Sequence, residues 1–264
     1  MFNEVLSQCW NNYLKMSCCH GDTYPCNCYN CLNTGFYNHA DEYECDKKML
    51  FYVLNYGASY ISEIYHYLTV SQILHSVNGQ LNVLSLGCGF CPDYYALSKY
   101  IDDNNLRINL NYVGIDNSKS WDETRIHLQN ISYIHGDLID LSRPLSFKGF
   151  NLIMMNKVFS TLYVHQKHIP FLENLKNAIE NTMEENSLLV FNDVNSWYMG
   201  RDTFDGTISR YFNNFRRYYT DNPPFWGNGW LQIPQMNVIY PLNNYGNIFP
   251  LYTIAKSVFF EYRK

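Results

Sequence analysis

One stretch of this chain constrains its fold more than any other. Residues 82–97 read Asn-Val-Leu-Ser-Leu-Gly-Cys-Gly-Phe-Cys-Pro-Asp-Tyr-Tyr-Ala-Leu. Val83 to Leu86 is a short apolar run and reads as a buried strand. Gly87-Cys88-Gly89 then forms a turn where a ligand can approach the backbone, because glycine has no Cβ. Pro92 starts a helix, and a helix start presents N–H groups that have no partner within the helix. A lone Gly-x-Gly is also the composition of an ordinary turn, so the segments that follow carry the weight.

Four more apolar runs follow, each ending in polar residues. Ile108 to Ile115 ends at Asp116, and an acid at the tip of a second strand can accept both hydrogen bonds of a ribose diol. Ile131 to Ile134 leads into His135-Gly136-Asp137-Leu138, and Phe150 to Met155 leads into Asn156-Lys157. Leu188 to Phe191 ends in Asn192-Asp193. Between them lie helical stretches, notably Ile169 to Met183, with Phe171, Leu172, Leu175 and Ile179 on one face. Strands alternating with helices predict an α/β fold with a parallel sheet and ligands at the strand ends.

From about residue 80 onward the chain resembles the class I S-adenosylmethionine-dependent methyltransferases. The residues that carry the likeness are Val83-Leu84-Ser85-Leu86-Gly87-Cys88-Gly89, Gly114-Ile115-Asp116, Gly136-Asp137-Leu138 and Phe150-Asn151-Leu152-Ile153-Met154. The resemblance implies a seven-stranded Rossmann-like methyltransferase sheet, mostly parallel, closed by a C-terminal antiparallel hairpin. Met236 to Tyr240 and Ser257 to Tyr262 are the candidate hairpin strands. It also implies transfer of a methyl group from S-adenosylmethionine. Gly87, Cys88 and Gly89 would lie against the methionine part, and Asp116, with Asn117 beside it, would hold the ribose. Asp137 would accept from the adenine amine, Leu138 would offer a backbone contact, and Asn156 would face the methionine end.

Two positions depart from the family. Ser85 stands where many members carry an acid, and Cys91 replaces the third glycine of the turn. Asp93 either supplies a carboxylate to the cofactor's ammonium or stabilises the helix start. Two other readings stay open: a catalytically inactive interaction protein that works through S-adenosylmethionine or zinc, and an NAD-dependent oxidoreductase. The oxidoreductase fingerprint needs a third glycine where this chain has Pro92. Asn222-Pro223-Pro224-Phe225 resembles the motif of enzymes that methylate an exocyclic amine of a base. In those enzymes it closes the fourth strand, a place taken here by Asn156-Lys157, so it reads as a loop.

The N-terminal segment differs in kind. Seven of the nine cysteines fall before residue 46. With no basic start and apolar run for export, a reducing, cytoplasmic setting is expected, and clustered thiols then favour metal over disulfides. The preferred zinc set is Cys26, Cys28, Cys31 and Cys45, with Cys18, Cys19, His20 and His39 as rivals. From Asp46, Leu50, Leu54, Ala58, Ile61, Ile64 and Leu68 recur at helical spacing up to a break near Val70-Ser71. Residues 1–79 thus read as a zinc clip with a lead-in helix, and 80–264 as the methyltransferase-like domain.

Residues 196–235 read as a lid or substrate insertion, with Trp197, Tyr198, Phe204, Trp226, Trp230 and a helix from Ile208 to Tyr219. A net charge of -5 and no basic stripe in this segment disfavour nucleic acid, so a small-molecule or protein acceptor is expected. The Cys-rich region is a candidate surface for a protein partner. No apolar run is long enough to suggest a membrane span. Methyl transfer needs a base only when the acceptor must lose a proton, and Asp193, His165 and His168 are the candidates. The catalytic residues stay open.

Overall fold

The computed structural model describes residues 1–17, 28, 31–32, 45–223, 229–234, 237–240, 243–254 and 256–264. Its frame is one eight-stranded sheet in the order β3-β2-β1-β4-β5-β8-β6-β7. The strands are β1 (Gly79–Leu86), β2 (Ile108–Asp116), β3 (Ile131–His135), β4 (Leu152–Asn156), β5 (Leu188–Val194), β6 (Asn214–Tyr219), β7 (Leu231–Gln232) and β8 (Ser257–Arg263). The first five run parallel, and β8 lies antiparallel between β5 and β6. The α/β, mostly parallel sheet expected from the sequence is present.

Side-chain alternation along these strands builds two cores, one on each face. Val83, Tyr112, Met154, Val190 and Phe259 point to one face. Their neighbours Leu84, Ile153, Met155, Leu189 and Phe260 point to the other. Helices α1 (Phe2–Lys15), α2 (Asp46–Ser71) and α3 (Pro92–Asp103) cover the first face. Helices α4 (Phe159–Val164), α5 (His168–Asn181) and α6 (Arg201–Ile208) cover the second.

Helix α2 follows its sequence pattern, since Leu50, Leu54, Ala58, Ile61, Ile64 and Leu68 are all buried. Its Tyr67 ring stacks on Phe259 of β8 at 4.4 Å. Helix α1 has no counterpart in the sequence reading. Its Phe2 is buried, with its ring 5.0 Å from those of both Tyr95 and Tyr240. Burying one such ring is worth about 2–3 kcal/mol. Gly57 of α2 makes room for it, because a Cβ there would stand 2.8 Å from Phe2 Cζ.

Three expectations need correction. The sheet has eight strands rather than seven, the addition being the two-residue β7 on the far edge. The helix expected over Ile208 to Tyr219 is instead the end of α6, a short 3-10 turn at Ser209–Tyr211 and then β6. Met236 to Tyr240 is not a hairpin strand among its described residues. Ile239 N–H donates to Ser62 Oγ at 2.8 Å and the Asn237 carbonyl meets His66 Nε2 at 2.9 Å, so this apolar run packs against α2. The other expected hairpin strand, Ser257 to Tyr262, is β8.

The register fixes where a ligand can sit. Leu86 pairs with Ile115 and Met155, Asp116 with His135, and Asn156 with Asn192. The carboxyl ends of β1, β2, β4 and β5 therefore share one edge. Strand order reverses there, between β1 with its neighbour β2 and β1 with its neighbour β4, which opens a crevice above the strand tips.

Candidate functional site

The glycine turn is shaped by close neighbours. Gly87 has φ +64°, and a Cβ on it would fall 2.4 Å from Val158 Cγ2. Gly89, at φ +50°, lies beside the Trp121 ring. Cys91 also adopts the left-handed conformation, at φ 58°, in the place where the resemblance expects a third glycine. Its N–H donates to the Cys88 carbonyl at 2.7 Å, closing the turn at the start of α3. Gly114 on β2 is needed for the same packing, since its Cβ would sit 2.6 Å from Cys88 Sγ. Burial pushes the Cys91 thiol up to about 12 and raises Cys88 as well, so both act as small apolar groups.

Arg125, which no sequence motif marks, braces the turn from behind. Its Nε donates to the Gly89 carbonyl at 2.9 Å, and its guanidinium lies 4.8 Å from the Tyr133 ring centroid. Asp116 completes the support: Gly89 N–H donates to Oδ2 at 2.8 Å and Ser118 N–H to Oδ1 at 3.0 Å. Burial raises the Asp116 pKa, and these two N–H donors pull against that rise.

One cavity opens above the strand tips. Gly87, Cys88, Gly89, Asp116, Asn117, Asp137, Leu138 and Asn156 all line it. Asp137 Oδ1 accepts from Ile139 N–H at 3.1 Å. Asn156 Oδ1 and Asn192 Oδ1 are buried acceptors with no hydrogen-bond partner. They stand side by side in the β4–β5 register, and both residues line the cavity. A ligand bearing N–H donors would satisfy them.

Asp93 is placed elsewhere. It is fully buried outside the lining, with its Oδ1 accepting from Tyr112 hydroxyl at 2.7 Å and Tyr94 N–H at 3.1 Å. Burial raises its pKa, while Ser85 and Tyr112 act to lower it. Asp93 therefore braces the start of α3 behind the turn and does not join the other expected cofactor residues in the cavity lining.

The far wall comes from α2 and from the β4–α4 connection. Tyr52, Tyr60 and Ile64 of α2 line the cavity, although their spacing alone marks them only as packing residues. No described residue of 196–235 lines it. Lys157, with φ 58°, follows the tip of β4 and pairs through Nζ with the fully buried Glu63 of α2 at 2.8 Å. The same ammonium donates to Ser257 Oγ and lies 5.6 Å from the Tyr60 ring centroid. Lys157 stood at a strand tip in the sequence, but the partner that gives it meaning is on a helix far upstream.

The three base candidates separate. His165 lines the cavity. His168 lies against the Tyr163 and Phe159 rings, at 4.5 and 6.1 Å. Asp193 is buried, accepting from Ser160 N–H at 2.9 Å and Val194 N–H at 2.7 Å, and burial raises its pKa.

The expected zinc set is not assembled among the described residues. No three Cys, His, Asp or Glu side chains gather there as metal ligands, so Cys28, Cys31 and Cys45 do not form such a group. Cys28 joins the apolar core and Cys45 occupies the N-cap of α2. Cys26, with the rivals Cys18, Cys19, His20 and His39, lies outside the described residues. No helix among the described residues is long and apolar enough to cross a membrane.

No protein-family model matches the chain, and no curated protein matches it significantly. Solved structures do. The chain is similar to a TehB-like SAM-dependent methyltransferase from Corynebacterium glutamicum, at 14% identity and TM-score 0.45 over 76% of this chain and 87% of that one. It is similar to a possible exported protein from Bordetella parapertussis, at 10% identity and TM-score 0.47 over 100% and 95%. The S. pombe Dnmt2 methyltransferase matches at 13% identity and TM-score 0.44 over 70% and 49%. These likenesses stay below a TM-score of 0.5, so the reading of the site rests on its own topology and geometry.

Proposed function

We propose that this chain binds S-adenosylmethionine in the cavity above β1, β2 and β4 and transfers its methyl group to an acceptor lodged against α2. One observation carries the reading: the glycine turn, Asp116, Asp137 and Asn156, which lie far apart in sequence, line a single cavity at the reversal of strand order. The donor set matches the cofactor's chemistry group by group. A carboxylate at the tip of β2 suits a ribose diol, and a second after β3 suits the adenine amine. The partnerless oxygens of Asn156 and Asn192 suit an ammonium. Two acids in this half also suit a ligand with cationic sulfonium and ammonium groups.

When bound, the cofactor supplies a methyl group on a positively charged sulfur, ready for in-line displacement. This chain's part is placement and exclusion of water. Gly87 and Gly89 let a ligand reach the backbone, Arg125 and Asp116 keep the turn from moving, and Tyr52, Tyr60 and Ile64 close the far side. Lys157, held by Glu63, keeps an N–H donor beside the Asn156 end. His165 is placed to take a proton from acceptors that carry one.

Calorimetry with S-adenosylmethionine, S-adenosylhomocysteine and NAD tests the assignment. The two methyl-donor species should bind and NAD should not; binding of neither would refute the proposal. Asp116→Asn should weaken cofactor binding by about tenfold through loss of one charge-assisted hydrogen bond. A labelled-methyl screen over small molecules, proteins and RNA identifies the acceptor. Cofactor binding with no transfer to any class would favour an inactive binding module.

A further inference from the structure

The two halves of the cavity differ in charge. Around the glycine turn the lining acids are Asp116 and Asp137. On the opposite side, beyond Asn156, the lining bases are Lys157, His165 and Lys167. Lys157 is already compensated. Its ammonium meets Glu63 at 2.8 Å, and it also lowers the pKa of the buried Asp193. Lys157 therefore works at the inner end as an N–H donor rather than as a net charge.

Lys167 is different. Its side chain is exposed at the mouth of the cavity and is in no ion pair among the described residues. It immediately precedes α5, whose first turn carries no acid. The lining on this side also carries an apolar group, Ile64 from α2, Val158 from the β4–α4 connection and Leu162 from α4, with the hydroxyl residue Thr161 beside them. A ligand that matches this lining has an apolar body and a negative charge at its outer end. An amine there would meet Lys167 unscreened, with no carboxylate in the lining on that side.

We propose that the acceptor subsite takes a small organic carboxylate, its apolar body against Ile64, Val158 and Leu162 and its carboxylate at the mouth against Lys167. Naming this subsite for a methyl acceptor rests on the methyl-donor reading; the charge arrangement does not. The carboxylate serves here as a recognition handle, and the atom that receives the methyl group lies inward, toward Lys157 and Asn156.

The full chain is titrated calorimetrically with benzoate, benzamide and benzylamine, each with and without saturating S-adenosylhomocysteine. Benzoate should bind best, by about fivefold over benzamide, as one partly exposed ion pair allows, with benzylamine weakest. Raising salt from about 20 to about 300 mM should shrink the benzoate advantage, because the pair sits near solvent. Lys167→Gln, an exposed change outside the core, should bring benzoate down to benzamide and leave S-adenosylhomocysteine affinity unmoved. Equal binding of benzoate and benzamide, tighter binding of benzylamine, no benzoate binding, or an unchanged preference in Lys167→Gln would each overturn the proposal. The two readings fail separately. If S-adenosylhomocysteine does not bind but the benzoate preference holds, only the methyl-donor assignment falls. If S-adenosylhomocysteine binds and no preference appears, only the carboxylate subsite falls.

Discussion

Gly87 shows how much of this site rests on a missing atom. It holds φ +64° where L side chains are strained, and its empty Cβ position points at Val158. Gly87→Ala should therefore cost about 1–2 kcal/mol from backbone strain and a further 1–3 kcal/mol from the clash. Denaturant midpoints measure the total. Adding Val158→Ala should recover the steric share and leave the backbone share, so a double variant no better than the single would refute the contact. The residues lining the glycine-turn half of the cavity were legible as a group because each lies at a strand end or a glycine turn, both local signals. Arg125, Lys157 and Tyr60 were not, because each owes its place to a partner distant in sequence: the Gly89 carbonyl, Glu63 and the cavity itself.

At the scale of elements, α2 was legible and β6 was not, for a shared physical reason. Both carry apolar residues at helical spacing. In α2 that face is buried along its length, so the period and the packing agree. Over 208–219 the period is met by Ile208, Tyr211, Phe212, Phe215 and Tyr219, yet pairing with β8 overrides it. Only Tyr218 of β6 is buried, and its ring lies edge-on to Tyr67 of α2. Local periodicity cannot see a partner strand supplied from the end of the chain. The end of α2 holds a separate weakness. Gln72 caps it in the left-handed conformation at φ 53°, exposed, with its N–H on the Leu68 carbonyl at 3.0 Å. Glycine is the residue that suits such a cap, so Gln72→Gly should stabilise the chain by about 0.5–1 kcal/mol. Urea unfolding of the variant checks this, and a lower midpoint would mean that the Gln72 side chain contributes more than its backbone costs.

For the molecule as a whole, the core is continuous from Phe2 in α1 through the turn to Phe259 in β8, so the Cys-rich segment is bounded by helices built into the sheet's own packing. Buried charge near the site then couples to global stability. Asp93, Asp116 and Asp193 are all buried with pKa values raised from 3.8, burial being the largest cause in each. Such a carboxyl holds its proton to higher pH in the folded chain than in the unfolded one. Its contribution to stability is therefore fully present below 3.8 and is lost as pH rises through the folded value. His66 and His168 have the opposite sign: burial lowers both from 6.5, so their contribution is present above 6.5 and lost as pH falls. Asp93 is the place to isolate one term, because its Oδ1 accepts from Tyr112 and Tyr94 and an asparagine oxygen can do the same. Asp93→Asn removes the titration and keeps those bonds. Relative to the parent chain, the variant should gain stability as pH rises above 3.8, because the parent's unfolded chain ionises there while its folded carboxyl keeps its proton, and the gain should level off above the folded value. Urea midpoints for both proteins across that range give the answer. A variant that instead loses ground with rising pH would show that the Ser85–Tyr112 cradle stabilises the Asp93 anion more than burial penalises it.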